Sequence, residues 1–210
     1  MEEPMKKLFS VLILILAATP LAFSTSLGID FTSPGAIVGP SMGSQGFRFL
    51  ANQNAQVSRL GVFDAFQNGL PGVQQVGLWD SRGNLLASTL VDNNDGLEGF
   101  WRFHAIQTVT LTQGETYMVA SQGGEFYTYQ TNGFTVNPFI TYLTDSFSAL
   151  GHSLHSPLGF PGSSANLTAS QGGGYFGGNL DLAPAAVPEP ASIMLLGIGL
   201  AGLAIRKAKQ

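Results

Sequence analysis

The chain has 210 residues and a formal net charge of −4, and charged residues make up only 10% of it, against ~25% in typical soluble domains. This length accommodates one domain of ordinary size plus tails. The absence of cysteine excludes disulfides, thiolate metal sites, a cysteine nucleophile and a thiol-linked lipid anchor. Few bases in an acidic chain argue against nucleic-acid binding, which needs a basic footprint.

The N-terminus has the layout of a secretory signal peptide. Lys6 and Lys7 precede an apolar run from Leu8 to Ala18, and Ala22-Phe23-Ser24 offers a small-x-small cleavage site. Residues 1–24 are therefore predicted to direct Sec-type export through the inner membrane. The alternative is an uncleaved anchor, but the run is short for the ~30 Å hydrocarbon layer.

Residues 25–183 are predicted to form an all-β domain. This region carries four arginines and ten carboxylates, a net charge of −6, and no lysine. Short alternating runs separated by turn residues predict an antiparallel β-sandwich of jelly-roll or Ig-like type. The clearest hairpin joins 75–79 to 85–91 through the turn at 80–84. The predicted core consists of Phe47, Phe49, Leu60, Val62, Leu78, Trp101, Phe103 and Tyr117.

A glycine-, serine- and proline-rich stretch from Gly151 to Gly178 predicts a long loop, followed by a closing strand near Tyr175–Leu182. Within it, residues 172–177 match G-x-G-x-x-G. A dinucleotide loop needs a strand before it and a helix after it. Because Gly178 and Asn179 follow in place of a helix, no nucleotide cofactor is predicted.

The turn at 92–98 is rich in oxygen ligands, of the kind that Ca²⁺ prefers. The EF-hand spacing fails, because Gly96 falls at position five from Asp92 rather than six. A plain turn and a calcium site are both left open here. The candidate calcium ligands are Asp92, Asn94, Asp95 and Glu98.

No catalytic residue is predicted. His152 and His155 lack a helix that would align them as metal ligands. Asp145, Ser153 and His155 could form a hydrolytic triad on paper, but no Gly-x-Ser-x-Gly elbow presents the serine. A glycosidase would need paired carboxylates at a cleft, ~5 to 9.5 Å apart. The candidates for such a pair are Asp64, Asp80 and Asp145.

Aromatic residues are concentrated in one region of the predicted sheet. Phe126, Tyr127 and Tyr129, with Tyr117 nearby, could stack the flat faces of sugars. Ordinary core and cross-strand pairing is the alternative.

The C-terminus forms a second targeting device. Residues 184–190 read as a stiff proline-rich linker. Residues 191–205 are then apolar and predict a hydrophobic helix, about 22 Å long at ~1.5 Å per residue. A buried amphipathic helix fits poorly, because the apolar residues surround the axis. In the basic tail, 206–210, the residues Arg206, Lys207 and Lys209 favour the cytoplasmic side.

Val187, Pro188, Glu189 and Pro190, the short apolar stretch and the basic end together resemble a PEP-CTERM sorting signal. That resemblance implies recognition by an exosortase-type transpeptidase, which cleaves near the motif. It also implies transient insertion in the inner membrane of a Gram-negative-type bacterium that makes extracellular polysaccharide. The mature protein is then expected at the cell surface or secreted.

Segments of the body also follow a recognisable order, from Phe47-Arg48-Phe49 through Gln75–Asp80 to Leu111–Tyr117. This order resembles a family of uncharacterised bacterial extracellular β-sandwich domains, often found ahead of PEP-CTERM tails. The resemblance implies fold and location, and it adds no activity.

These observations lead to the hypothesis of an exported, surface-associated, non-enzymatic β-sandwich, with a structural or adhesive role in the extracellular polysaccharide matrix and no cofactor unless calcium binds. The alternatives are a secreted carbohydrate-active enzyme and a calcium-dependent adhesion module.

Mass spectrometry of the protein from its native host tests both targeting devices. We expect residues before about Ser24 and after about Glu189 to be absent from the finished product. An intact C-terminus would contradict the processing hypothesis.

Overall fold

A computed structural model describes residues 26–39, 43–122, 126–148 and 157–185. Within these ranges the chain forms fourteen strands and one turn of 3-10 helix, Ala169–Gln171. Every paired strand is antiparallel. The predicted all-β class is confirmed. The predicted signal helix, sorting motif and C-terminal helix lie outside the described residues.

Two five-stranded sheets make up most of the fold. The first contains, in spatial order, β1 (Ser26–Leu27), β14 (Gly178–Pro184), β5 (Ala55–Phe63), β9 (Trp101–Leu111) and β8 (Gly96–Glu98). The second contains β13 (Ile140–Phe147), β4 (Gln45–Ala51), β10 (Thr116–Ser121), β6 (Gln74–Asp80) and β7 (Leu85–Val91). Two ribbons pair β2 (Ile29–Asp30) with β12 (Thr135–Val136), and β3 (Ala36–Val38) with β11 (Tyr127–Tyr129).

The two sheets face each other across one apolar core, as in a β-sandwich. In β4, for example, Phe47, Phe49 and Ala51 are buried while the residues between them are partly exposed, which is the two-residue period of a half-buried strand. Every residue predicted for the core is buried, with at most 5% of its surface exposed: Phe47, Phe49, Leu60, Val62, Leu78, Trp101, Phe103 and Tyr117.

The predicted hairpin is confirmed as β6 and β7. Asp80 closes its turn, because its Oδ1 accepts hydrogen bonds of 2.9 Å from the backbone amides of Arg82 and Asn84. Gly83 supplies the left-handed conformation, with φ of +87°. The Asn84 side chain donates to Oδ2, and this bond with the two amide bonds lowers the pKa of Asp80.

A buried carboxylate joins β14 to an irregularity in β5. Asp181 is fully buried, and it accepts hydrogen bonds from the Ser58 amide at 3.1 Å and the Arg59 amide at 2.8 Å. The regular β5–β9 pairing is interrupted here, between Val57 and Arg59. The Arg59 side chain donates to Asp181 at 2.8 Å and also pairs with Glu98. Asp181 therefore satisfies amides that the interrupted ladder leaves without strand partners.

The predicted loop is largely irregular where it is described, from 157 to 177, and it covers part of the second sheet. Asp145 of β13 is fully buried and accepts the amides of Ala165 at 2.7 Å and Leu167 at 2.8 Å. Phe147 and Ser163 form an isolated bridge beside it. The loop is thereby fixed along the outer edge of β13.

The closing strand was predicted to begin at Tyr175, and this start was wrong. The strand is β14, which begins at Gly178 and extends to Pro184. Tyr175 has φ of +56°, which is incompatible with extended strand backbone.

Phe176 is the residue at which the second sheet meets both ribbons, since its ring packs on that sheet and beside β12 while its backbone bridges Thr128 of β11. It is fully buried, and its ring lies 5.1 Å from Phe134, 5.9 Å from Tyr142 and 6.0 Å from Phe47, between centroids. Offset and edge-to-face contacts of this kind add to the stabilisation from burial itself.

Replacing this ring tests its role in stability. We expect Phe176→Ala to lower the free energy of unfolding by about 3–5 kcal/mol, because a large cavity would remain between the sheets. The matched control is Phe66→Ala, whose ring is 58% exposed and whose loss should change stability by no more than about 0.5 kcal/mol. Urea unfolding followed by tryptophan fluorescence measures both, and equal losses would contradict the assignment.

Candidate functional site

The glycine-rich segment 172–177 lies against the chain that follows β11. The amides of Gln130 and Thr131 donate to the carbonyls of Gly173 and Gly172, both at 3.2 Å. A Cβ at Gly172 would come within 2.4 Å of the Thr131 carbonyl oxygen. The glycines therefore allow two backbones to approach closely. The sequence-based exclusion of a dinucleotide loop agrees with the strand, β14, that follows.

The same segment turns two consecutive aromatic side chains in opposite directions. Phe176 enters the core, and Tyr175 lies outside it, half-buried. Tyr175 adopts φ of +56°, a left-handed conformation that is uncommon for a bulky residue. Such local strain occurs preferentially at functional positions.

Tyr175 meets two tyrosines of β11, and we call Tyr127, Tyr129 and Tyr175 the tyrosine cluster. Ring centroids are separated by 5.3 Å between Tyr127 and Tyr175, and by 6.3 Å between Tyr129 and Tyr175. Phe147 supports the cluster from β13, with an edge-to-face contact of 5.4 Å to Tyr175. All four rings are half-buried, so each keeps some surface in solvent.

The surroundings of the cluster change the titration of one of its phenols, Tyr127. Burial raises the pKa of Tyr127, and the nearby phenols of Tyr175 and Tyr129 raise it further. Among the described residues, no hydrogen bond engages the hydroxyls of these three tyrosines. The cluster therefore combines aromatic surface with polar groups that are available to an external ligand.

Two of the aromatic residues predicted to lie together are elsewhere. Tyr117 is buried in the core, stacked on Phe49 at 5.9 Å, and its hydroxyl accepts a hydrogen bond from the Thr112 amide. Phe126 packs edge-to-face on the exposed Phe66 at 5.3 Å. Tyr175 and Phe147 were missed by the sequence analysis. A bulky residue inside a run of glycines was the available signal for Tyr175.

The four candidate calcium ligands are used within the fold. Asp92 accepts the Asn94 amide at 2.7 Å, and Asp95 accepts the Asp92 amide at 2.8 Å, which is the hydrogen bonding of a turn. Asp95 also lies 2.8 Å from a ring nitrogen of His104, and Glu98 pairs with Arg59. Among the described residues, no group of three or more acidic or histidine side chains has the proximity of a metal site. Calcium binding at this turn stays a prediction.

The three candidate catalytic carboxylates have separate partners. Asp64 pairs with Arg102 at 2.9 Å, Asp80 closes its turn, and Asp145 holds the loop amides. Asp80 and Asp145 are three strand spacings apart in the second sheet, about 14 Å. His152, Ser153 and His155 lie outside the described residues, so the structure does not test the hydrolytic triad of Asp145, Ser153 and His155.

Within the part of the chain that the structure describes, no helix is long and apolar enough to cross a bilayer. The predicted hydrophobic helix at 191–205 lies outside that part.

Two family models match the chain, one at its C-terminus and one over its central region. Residues 186–209 match the PEP-CTERM protein-sorting motif. The protein is thus exported across the inner membrane, processed at its C-terminus by an exosortase, and placed at the cell surface or secreted. Residues 40–176, more than half of the chain, match the family described as Domain of unknown function (DUF4082), and the chain belongs to that family. No curated protein and no solved structure matched the chain.

The raised pKa of Tyr127 is measurable. We expect Tyr127 to titrate above the ordinary tyrosine pKa of about 10, and Tyr175→Phe to lower its pKa by removing one neighbouring hydroxyl. Because the folded protein favours the neutral phenol, the free energy of unfolding should fall as pH rises from about 10 through the folded-state pKa.

Carbon-13 NMR of labelled tyrosine side chains follows each phenol separately, with Tyr117→Phe as the control that leaves Tyr127 unchanged. An ordinary Tyr127 titration, or one that does not respond to Tyr175→Phe, would contradict the cluster geometry.

Proposed function

We propose that this protein is a non-enzymatic structural or adhesive component of the extracellular polysaccharide matrix, and that the tyrosine cluster is its carbohydrate contact. The observation that carries the proposal is the convergence of Tyr127, Tyr129 and Tyr175 from two separate segments on one half-buried surface. The sorting motif supports it by delivering the protein to the compartment where such polymers lie.

The chemistry of the cluster suits a sugar chain. Aromatic rings offer flat apolar faces against which the C–H face of a pyranose can pack, and tyrosine adds a hydroxyl that can donate or accept. Because Tyr175 is held by the backbone contacts of its neighbouring glycines, little ordering is required on binding. A preorganised aromatic surface is thus available to a sugar chain.

The carboxylates support a binding role over hydrolysis. Glycoside cleavage requires two carboxyl groups within ~9.5 Å on either side of the scissile bond. Asp64, Asp80 and Asp145 are each engaged by different partners, and Asp145 is fully buried. These assignments give each carboxylate a structural explanation and favour the non-enzymatic proposal.

Binding to the host's own extracellular polysaccharide tests the proposal, by affinity electrophoresis of the exported protein and by a glycan array. We expect Tyr175→Gly to weaken binding about tenfold, equivalent to ~1.4 kcal/mol, because it removes the central ring. Glycine also accepts the φ of +56° at this position, so the fold should be retained.

The matched control is Phe66→Ala, which removes another partly exposed ring in a different part of the structure. Retained binding in this variant would show that the loss in Tyr175→Gly is specific to the tyrosine cluster and is not nonspecific binding by exposed aromatic rings. Absence of binding by the wild-type protein, or an equal loss in both variants, would overturn the proposed carbohydrate contact.

A further inference from the structure

The outer edge of β7 carries backbone amides and carbonyls that have no neighbouring strand to pair with in the described structure. β7 is the last strand of the second sheet and pairs with β6 on one side only. Within the described ranges, no backbone hydrogen bond reaches its other side. A strand edge of this kind presents a row of amides and carbonyls that can pair with another strand.

The opposite edge of the same sheet is protected. The loop at 163–167 lies along β13, where Asp145 and the Phe147–Ser163 bridge hold it in place. Natural β-proteins protect edges by such coverage, by bulges, or by charges and prolines.

The neighbouring strand of the first sheet, β9, has a pronounced bulge beside β7. There, Ile106 to Thr108 stand opposite the single residue Ser58 of β5.

β7 has little of this protection. Its sequence, Leu85–Val91, contains no charged residue and no proline, and Ala87–Val91 pair regularly with β6. The irregularity in that pairing is confined to Leu85 and Leu86. The strand also exposes large apolar side chains: Leu90 is 59% exposed and Leu85 is 51% exposed. A groove of about 450 Å³ is lined by residues 86–89 of the strand and residues 105–109 of β9.

We propose that β7 pairs with β7 of a second copy of this chain, antiparallel about a two-fold axis at Ser88. A two-fold interface brings a surface against itself, so the surface must be self-complementary. The strand reads Leu-Leu-Ala-Ser-Thr-Leu-Val. Antiparallel pairing about Ser88 sets Leu86 opposite Leu90, Ala87 opposite Thr89, and Leu85 opposite Val91.

Charge also favours a second copy as the occupant. Residues 25–183 have a net charge of −6, which makes two copies repel each other over most of their surfaces. β7 and residues 105–111 of β9 are uncharged, so two copies that meet along β7 avoid this repulsion. The resulting dimer joins two five-stranded sheets into one continuous sheet.

A single introduced cysteine tests the register, because the chain has no cysteine of its own. Residues directly opposite in antiparallel strands have Cα atoms about 4.5–5.5 Å apart, within the 4.4–6.8 Å range of a disulfide. Exported Ser88→Cys protein should therefore form a disulfide-linked dimer under mild oxidation. Leu90→Cys is the control, since the two Leu90 positions would be about 13 Å apart.

Sedimentation of the exported protein, without cross-linking, tests the association itself. The wild-type protein should be a dimer at tens of micromolar, and Ser88→Lys should be a monomer, because two like charges would face each other directly. Val73→Lys adds the same charge at a 56% exposed site outside the strand and should remain a dimer.

A monomeric wild-type protein would overturn the proposal, as would a dimer that survives Ser88→Lys. Equal cross-linking of Ser88→Cys and Leu90→Cys would overturn the register. Circular dichroism of each variant shows whether a monomer has retained its fold. If Ser88→Lys unfolds, the cysteine pair alone decides the result.

Discussion

The packing of Phe176 between the sheets is the interaction on which the rest of this structure depends. Its ring contacts Phe47 of β4 and Tyr142 of β13 in the second sheet, and Phe31 and Phe134 beside the β2–β12 ribbon. Its backbone bridges Thr128 of β11, so this one residue joins the second sheet to both ribbons. β14 follows directly and lies between β1 and β5 in the first sheet. The last described segment thus closes a fold that has no disulfide to close it.

The position of Phe176 has a direct consequence at the surface. Because the glycines at 172–174 lie in close contact with neighbouring groups, the backbone has little freedom. Once Phe176 points inward, the left-handed conformation of Tyr175 places its ring against β11. The core residue and the candidate binding residue are consecutive in sequence, so the stability of the sandwich and the geometry of the tyrosine cluster are coupled.

Buried carboxylates provide a second level of organisation. Asp181 satisfies amides at the interruption in β5, and Asp145 satisfies amides of the loop along β13. Both are fully buried, and burial of a charge is costly unless hydrogen bonds compensate. Each carboxylate accepts backbone amides where regular strand pairing is absent, and it thereby fixes the local backbone conformation. Two charged side chains are enough to define two irregular segments in a region with few charges.

The sequence by itself determined the C-terminal sorting motif, the all-β class, the β6–β7 hairpin and the eight predicted core positions. These features depend on local composition and on the two-residue period of a strand, which are visible without a fold. Only the tertiary structure decided that β9 and β10, four residues apart, belong to different sheets. It also decided that Asp145 holds a loop, and that Tyr175 joins Tyr127 and Tyr129 while Tyr117 remains in the core. Those outcomes depend on contacts between segments distant in sequence, which no local pattern encodes.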